Sequence, residues 1–245
     1  MEDKALLSTE EASGAEKAEL LIVIPAYNEA ENIERVVNHL TANFPQYDYV
    51  VVNDGSRDET AAICQRNGYN LLNLPVNLGL AGAFQAGLKY ADKYGYQYAV
   101  QLDGDGQHRP EYLESMIKKM EEGYDIVIGS RFVGEKKPFT MRMLGSNLIE
   151  LAIRFTTGVN IKDPTSGMRM FSKRMIREFA SGLNYGPEPD TVSYLIRQGA
   201  RVAEVPVIMD ERILGVSYLT PVNAMRYMLK MLISILLIQN FRKRR

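Results

Sequence analysis

Two carboxylates stand two positions apart in the segment LDGDGQHRP, residues 102–110. Asp103 and Asp105 alternate with glycines and are followed by the amide of Gln107 and the imidazole of His108. Oxygen donors of this kind suit a hard divalent cation, which often takes one or two carboxylates together with substrate phosphates. Short acidic side chains also hydrogen-bond to turns and cap helices. The segment therefore predicts either a Mg²⁺ or Mn²⁺ site for a diphosphate or a cap for the helix that follows.

Two further polar clusters follow apolar runs earlier in the chain. PAYNE, residues 25–29, follows the first run, and NDGS, residues 53–56, follows the second. In open α/β sheets, ligands bind outside the carboxyl ends of the strands, where loops far apart in sequence converge. Asp54 alone is explained equally well as a cap for the helix beginning near Ser56. Acids gathered at one edge cost free energy unless a cation or ligand donors offset their charge, so three such loops favour the cation site.

The elements that position these loops alternate between short β-rich runs and helical patterns. Strands are predicted over residues 20–26, 47–54, 69–75, 96–103, 125–131 and 200–207. Helices are predicted over residues 29–44, 58–68, 80–95, 110–122, 140–157, 172–182 and 188–199. This alternation predicts an α/β fold with a mostly parallel central sheet and helices on both faces.

Composition and charge place the chain among ordinary globular proteins. Its 245 residues suffice for one large domain, or for one domain with an appendage. The single cysteine, Cys64, excludes an internal disulfide and is interpreted as a small buried apolar residue. No leader pattern stands at the N-terminus, and the apolar run of residues 231–238 is shorter than the roughly 20 residues of a membrane span. We therefore expect a cytoplasmic protein, and we expect no nucleic-acid partner.

Eight segments, in order, resemble family 2 glycosyltransferases with the GT-A fold, and among them polyprenyl-phosphate sugar transferases similar to dolichyl-phosphate mannosyltransferase. The segments are IVIPAYNEAENI, VVNDGSRDET, NLGLAGAFQAGLKYA, VQLDGDGQHRPEYL, DIVIGSRF, DPTSGMRMFS, VAEVPV and ER at 211–212. Each alone is a weak signal, whereas eight in the family's order make a specific match. The resemblance implies a GT-A, Rossmann-like domain over residues 19–217. The excess of acidic residues before it predicts a flexible acidic arm over residues 1–18.

The resemblance also implies roles for the residues at matching positions. The nucleotide-sugar would be held by Pro25, Tyr27, Glu29, Asp54 and Asp103. The divalent cation would be bound by Asp105, Gln107 and Asp103. Catalysis would depend on Asp105 and on three arginines that face phosphates, Arg131, Arg169 and Arg212. Guanidinium groups suit this task because their planar fork binds phosphate oxygens in pairs.

The acceptor decides whether a general base is needed. A sugar hydroxyl normally needs one, whereas a lipid monophosphate is already anionic near neutral pH. Glu188 and Asp190, in the stretch YGPEPD, are candidates for a base, an acceptor contact or a helix N-cap, and the flanking prolines favour the cap. This stretch departs from the mannosyltransferase pattern, which leaves the identity of the sugar open. The chain has no tryptophan, which disfavours the processive polysaccharide synthases of the family.

Residues 218–245 are predicted to form a basic amphipathic helix. Apolar side chains recur at steps of three and four at Leu219, Val222, Met225, Leu229, Leu232 and Leu236. No acidic residue follows Glu211, and the chain ends in RKRR. Such a helix can lie in a membrane interface, where basic residues near an anionic leaflet contribute roughly 1 kcal/mol each. The alternative is packing on the protein's own core or in a dimer.

The predicted function is inverting, metal-dependent transfer of a sugar from a UDP- or GDP-sugar onto polyprenyl (undecaprenyl) phosphate. We expect the protein to be peripheral on the inner face of the cell membrane. A small membrane-protein anchor and a homo-oligomer are hypotheses that the sequence leaves open. The alternative acceptor is a sugar hydroxyl of a cell-surface glycan precursor, and a non-catalytic nucleotide-sugar-binding subunit is a third interpretation.

Two rival chemistries match the sequence less well. A sugar nucleotidyltransferase would carry a Gly-rich loop with Arg and Lys where this chain has PAYNEAEN. A glycoside hydrolase with paired acids would need neither nucleotide nor metal.

Overall fold

The structure is a computed structural model that describes residues 18–135, 137–138, 140–182, 186, 188–210 and 221–241. The strands in these ranges are β1 (Leu20–Ala26), β2 (Asp48–Asn53), β3 (Leu71–Asn73), β4 (Tyr98–Gln101), β5 (Ile126–Ser130), β6 (Arg169–Ser172) and β7 (Val202–Pro206). The α-helices are α1 (Ile33–Asn43), α2 (Thr60–Arg66), α3 (Gly79–Lys93), α4 (Leu113–Glu121), α5 (Met141–Thr157), α6 (Lys173–Ser181), α7 (Pro189–Arg197) and α8 (Pro221–Leu236). Short 3₁₀ helices span Pro110–Tyr112 and Ile238–Phe241. The predicted arm lies outside the described residues apart from Ala18.

The strands form one mixed sheet in the order β3-β2-β1-β4-β6-β5-β7. All neighbouring pairs are parallel except those of β6, which runs antiparallel to both β4 and β5. The predicted α/β class with a mostly parallel sheet is therefore confirmed. Strand β6 was not predicted, because four residues, of which three are buried, are too few for periodicity to separate a strand from the start of the following helix.

The core consists of two layers, one on each face of the sheet. Helices α3, α5, α6, α7 and α8 contribute to the first layer, and α1, α2 and α4 contribute to the second. Every residue of the central strand β1 is buried, as expected for a strand covered on both faces. Cys64 is buried in the second layer, as predicted, and burial raises the pKa of its thiol to about 11.

The sheet brings the polar loops to one edge. Strands β1, β2, β4 and β5 are mutually aligned in direction, so the loops after them emerge together. Because β6 is antiparallel, it starts with Arg169 at this same edge. We call this edge the carboxyl edge and the opposite one, where the parallel strands begin, the amino edge.

Candidate active site

The loop after β1 is fastened to the loop after β2. Asn28 has a φ of 56°, a left-handed conformation that Asn tolerates better than most residues. Its N–H donates to Ser56 Oγ at 3.0 Å, and its Oδ1 accepts from the N–H of Arg57 at 2.9 Å. The N–H of Glu29 donates to Thr60 Oγ1 at 2.9 Å. These bonds hold PAYNE beside NDGS, as the convergence of strand ends predicted.

Asp54 is buried and serves as a cap, although not for the helix that the sequence suggested. Its Oδ1 accepts from the N–H of Leu78 at 2.7 Å, at the start of α3 rather than α2. Its carbonyl accepts from Asn77 Nδ2 at 3.1 Å. Gly55 makes this junction possible, since a Cβ there would lie 2.7 Å from the backbone nitrogen of Asn77. Asp54, which was predicted to bind the nucleotide-sugar, therefore also fixes the start of α3.

The other predicted nucleotide ligands lie at the end of β1. Pro25 is buried and Tyr27 is half-buried, and Glu29 Oε2 accepts from Asn32 Nδ2 at 2.9 Å. Gly104 of the acidic loop packs against this strand end, because a Cβ there would lie 3.1 Å from the carbonyl oxygen of Pro25. The structure thus brings PAYNE and the acidic loop into direct contact.

Asp103 is held by hydrogen bonds from two sides. Its Oδ1 accepts from Gln101 Nε2 at 2.9 Å, and its N–H donates to His108 Nδ1 at 3.0 Å. Because Nδ1 accepts, the neutral imidazole carries its proton on Nε2, which lies 3.6 Å from Asp103 Oδ2. The buried His108 therefore helps to orient Asp103 beside the acidic loop.

Asp105 is almost fully buried in a turn that α1 supports. Its Oδ1 accepts from the N–H of Gln107 at 3.0 Å, and its carbonyl accepts from Arg35 Nη2 at 2.8 Å. Arg35 also donates to Asn32 Oδ1 at 3.2 Å. The sequence analysis did not identify Arg35, because nothing in the local pattern links a helix residue to a loop 70 positions away.

The donor set fits a cation that arrives with a diphosphate. Asp103 and Asp105 offer hard oxygen atoms, and about a third of the Asp103 side chain is exposed. Within the described ranges, no three His, Cys, Asp or Glu side chains are grouped closely enough to hold a metal ion. A Mg²⁺ or Mn²⁺ site made from one or two carboxylates, substrate phosphates and water needs no such group. Gln107 directs its Nε2 to the carbonyl of Asp210 at 3.3 Å.

Arg109 and Asp210 form a clamp that the sequence analysis missed. Arg109 Nε donates to Asp210 Oδ2 at 2.8 Å, and a second bond joins Arg109 Nη2 to Asp210 Oδ1. The N–H of Asp210 donates to the carbonyl of Gln107 at 3.0 Å. The bond from Arg109 lowers the pKa of the Asp210 carboxyl below its ordinary value. The clamp ties the acidic loop to the segment that leads to the predicted Arg212, which itself lies outside the described residues.

Arg131 is at the carboxyl edge, but its guanidinium is engaged with a protein carboxylate. Its Nε and Nη2 donate to Asp163 Oδ2 and Oδ1 at 2.7 and 2.8 Å. The side chain of Asp163 is fully buried, and its N–H donates to Glu204 Oε1 at 2.8 Å. The guanidinium of Arg131, which was predicted to face phosphate, instead anchors the DPTSG loop, residues 163–167.

Arg169 is buried at the same edge and is only partly satisfied. Its Nη2 donates to the carbonyl of Pro164 at 2.7 Å, whereas its Nε has no partner among the described residues. Burial lowers the pKa of Arg169, while the nearby Tyr227, Glu188 and Asp163 favour its charged form. A buried guanidinium with a free N–H is suited to an anionic ligand.

Glu188 and Asp190 lie at the start of α7 and contact α8. Glu188 is the N-cap residue but makes no side-chain cap bond; its Oε2 accepts from the hydroxyl of Tyr227. Asp190 Oδ1 accepts from the N–H of Thr191 at 2.8 Å, and its Oδ2 accepts from Ser234 Oγ at 2.6 Å. The predicted cap position is therefore correct for Glu188, while its carboxylate is directed to the C-terminal helix.

A cavity of about 460 Å³ borders the acidic loop on the side of α1. Asp103, His108, Arg109 and Arg35 are among its lining residues. This volume is within the range of small-molecule sites. The acidic loop is therefore reached from an open cavity.

Comparison with known proteins identifies the family of the chain. Residues 21–180 match the family described as Glycosyl transferase family 2. The chain is 32% identical to polyprenol monophosphomannose synthase of Mycolicibacterium smegmatis over 223 residues, which cover 86% of this chain and 84% of the relative. It is also 32% identical to undecaprenyl-phosphate mannosyltransferase of Micrococcus luteus over 210 residues, covering 81% of this chain and 86% of the relative.

A solved structure shows the same fold. Glucosyl-3-phosphoglycerate synthase from Mycobacterium tuberculosis, in complex with Mn²⁺, UDP-glucose and phosphoglyceric acid, superposes with a TM-score of 0.65 at 19% identity. The match covers 92% of this chain and 80% of that chain. These matches decide against the nucleotidyltransferase, hydrolase and non-catalytic interpretations. The chain belongs to glycosyl transferase family 2 and is a glycosyltransferase of the GT-A fold.

Proposed function

We propose that the protein transfers a sugar from a UDP- or GDP-sugar to polyprenyl phosphate, with inversion at the anomeric carbon and with Mg²⁺ or Mn²⁺. The names of the two relatives, which cover most of this chain, support the acceptor class and point to mannose. The carboxyl edge supports the donor class, since it gathers the acids and the buried arginine that a nucleoside diphosphate requires.

On the donor side, the proposal rests on the acids and strand ends that the carboxyl edge brings together. Asp105, Asp103 and the amide of Gln107 would hold the cation, which when bound stabilises the charge of the departing diphosphate. Pro25, Tyr27, Glu29 and Asp54 would receive the base and ribose at the ends of β1 and β2. His108 and Arg35 keep the acidic loop in place for this task.

On the acceptor side, the proposal rests on two carboxylates that already accept hydrogen bonds within the protein. Both oxygens of Asp190 already accept hydrogen bonds, and Glu188 accepts one from Tyr227. Carboxylates engaged in this way are poorly placed to remove a proton from a sugar hydroxyl. A phosphate monoester needs no such base, and its charge suits the free N–H of Arg169. This arrangement favours polyprenyl phosphate over the alternative, a sugar hydroxyl of a glycan precursor.

The surface of α5 and α8 supports action at a membrane. Exposed apolar side chains line both helices and the turn after α8: Leu144, Leu148, Leu151, Phe155, Met225, Leu229, Ile233, Leu236, Leu237, Ile238 and Phe241. The two helices pack closely, because Gly145 leaves room for Met228. The exposed basic residues Arg226 and Lys230 accompany this surface.

We further propose that residues 218–245 dock the catalytic domain, residues 19–217, peripherally on the inner face of the cell membrane. Apolar burial and attraction to anionic lipids both favour such docking. No helix within the described ranges is both long and apolar enough to span a bilayer. A separate membrane-protein anchor and self-association stay open as hypotheses.

The deciding experiment measures nucleotide release from a panel of UDP- and GDP-sugars with Mn²⁺, with and without undecaprenyl phosphate. We expect release for one donor that depends on the lipid and is abolished by a chelator. Asp105→Asn protein serves as the inactive control. Release that requires a glycan acceptor instead of the lipid would contradict the proposed acceptor, and chelator-insensitive release would contradict the cation site.

A further inference from the structure

The inner side of α8 meets the first turn of α7 through polar contacts. Tyr227 donates to Glu188, and Ser234 donates to Asp190 at 2.6 Å. Gln239, in the 3₁₀ turn that follows α8, donates to the same Asp190 oxygen at 3.4 Å. These three bonds hold the carboxylates of Glu188 and Asp190 against α8 and the turn that follows it.

The position of these two carboxylates affects the surroundings of Arg169. This buried guanidinium lies close enough to Glu188 and Asp190 for both carboxylates to favour its charged form. Its Nε nevertheless has no partner among the described residues. A carboxylate and a buried guanidinium gain most when they pair directly with good geometry, and Glu188 and Asp190 are half-buried beside the buried Arg169. The hydroxyl of Tyr227 already donates to the Glu188 carboxylate, so that oxygen is engaged on α8 rather than with Arg169.

The segment before α7 restricts Glu188 further. Gly186 is buried against α3, where a Cβ would lie 2.5 Å from the Cβ of Ala81. Glu188 therefore projects from a backbone that is packed against α3 on one side and contacts α8 on the other. Its carboxylate can change partner by side-chain rotation, without movement of this backbone.

We propose that Tyr227 is a positioning residue for the acceptor: its hydroxyl holds the Glu188 carboxylate so that Arg169 keeps an N–H for the acceptor phosphate. The role of Arg169 toward the acceptor rests on the proposed function. Since Tyr227 belongs to α8, the placement of the C-terminal helix also sets how the site receives its acceptor.

Tyr227→Phe tests this directly in the full-length protein. Without the hydroxyl, Glu188 turns to Arg169, and the KM for undecaprenyl phosphate rises about tenfold, as for the loss of one net hydrogen bond. The KM for the sugar nucleotide stays unchanged. Adding Glu188→Gln removes the competing charge, so the double variant recovers most of the acceptor affinity.

Tyr96→Phe is the matched control. Tyr96 donates to Asp48 Oδ2 at 2.8 Å at the amino edge, so this variant removes the same kind of bond far from the acceptor. Its acceptor KM stays at the unaltered value. A raised acceptor KM in Tyr227→Phe that Glu188→Gln does not correct would overturn the proposal, as would an unchanged acceptor KM.

A second readout does not depend on turnover. Arginine ¹⁵N NMR follows the Nε–H signal of Arg169, assigned by its loss in Arg169→Lys protein. The signal shifts in Tyr227→Phe and returns toward its original position in the double variant. If the unaltered protein does not use undecaprenyl phosphate, the proposed function fails, and an NMR signal that stays fixed in Tyr227→Phe separately rejects the positioning role.

Discussion

The two edges of the central sheet use the same residue types in different ways. At the amino edge, Tyr96 donates to Asp48, and Asp125 accepts from Arg174 and from the N–H of Arg201. At the carboxyl edge, Tyr227 donates to Glu188 in a similar pair. The amino-edge groups satisfy one another, whereas the carboxyl edge holds polar atoms that no described residue satisfies.

Two unsatisfied atoms make this difference concrete. Within the described ranges, the buried side-chain polar atoms without a hydrogen-bond partner are Gln101 Oε1 and Arg169 Nε. Both lie on adjacent strands, because Gln101 ends β4 and Arg169 begins the antiparallel β6. Burying such atoms costs free energy, so natural proteins tolerate them where function requires them. The mutually bonded polar groups of the amino edge stabilise the fold, whereas the unsatisfied atoms at the carboxyl edge mark the candidate site.

The largest expected effect follows from exchanging one carboxylate for an amide at each edge. Asp105→Asn should lower metal-dependent turnover roughly 10²- to 10³-fold, because charge that stabilises the leaving diphosphate is lost. Asp48→Asn, at the amino edge, should leave kcat unchanged. Steady-state nucleotide release measures both. Near-normal turnover of Asp105→Asn, with the fold verified by circular dichroism, would disprove the cation site.

The second prediction concerns Arg131, which stabilises the fold at the carboxyl edge by pairing with Asp163. Arg131→Ala should lower the free energy of unfolding by about 3 kcal/mol, because it leaves the Asp163 carboxylate buried and unpaired. Arg174→Ala at the amino edge should cost less than about 1 kcal/mol, because that arginine is more than half exposed. Urea denaturation of both variants compares them. Equal losses would show that Arg131 is not a structural residue.

Tyr96→Phe sharpens the comparison of the two tyrosines. It should lower the free energy of unfolding by about 1 kcal/mol, the net value of one hydrogen bond, and leave all kinetic constants unchanged. Thermal denaturation together with acceptor titration checks this. A kinetic defect as large as that expected of Tyr227→Phe would remove the distinction between the edges.

The smallest effect is the pH dependence of the amino-edge network. Burial raises the pKa of Asp125, but hydrogen bonds from Arg174 and Arg201 outweigh it, and the net shift is downward. A carboxyl with a lowered folded-state pKa contributes stability above its ordinary pKa, near about 4, and loses it as pH falls through the folded value. Asp125→Asn protein should therefore lose less stability than the unaltered protein below about pH 4.

Urea denaturation between about pH 6 and about pH 2 measures this difference. Asp92→Asn is the control, since Asp92 lies 4.0 Å from Arg177 in an exposed pair. Parallel stability curves for the unaltered and Asp125→Asn proteins would contradict the assignment.

The C-terminal helix shows how far a local pattern predicts packing. Of the predicted apolar positions, Met225, Leu229 and Leu236 are exposed, whereas Leu232 packs against the core. The polar residue Ser234 of the same helix is buried and bonded to Asp190. Periodicity identifies the faces of a helix but not which of them meets the rest of the protein.

The amino-acid sequence alone determined the α/β class, the strand ends that carry the acids and the glycosyltransferase family. Continuous buried runs such as Leu20–Ala26 and short acidic motifs are local signals. Each can therefore be recognised in the sequence without knowledge of its tertiary contacts.

The partners of those residues depended on the packed chain. Asp54 caps α3, Arg131 pairs with Asp163, and Tyr227 contacts Glu188. Every one of these pairs joins residues more than twenty positions apart. Their side chains are equally compatible with a solvated surface, and packing of the two core layers selects which charges meet.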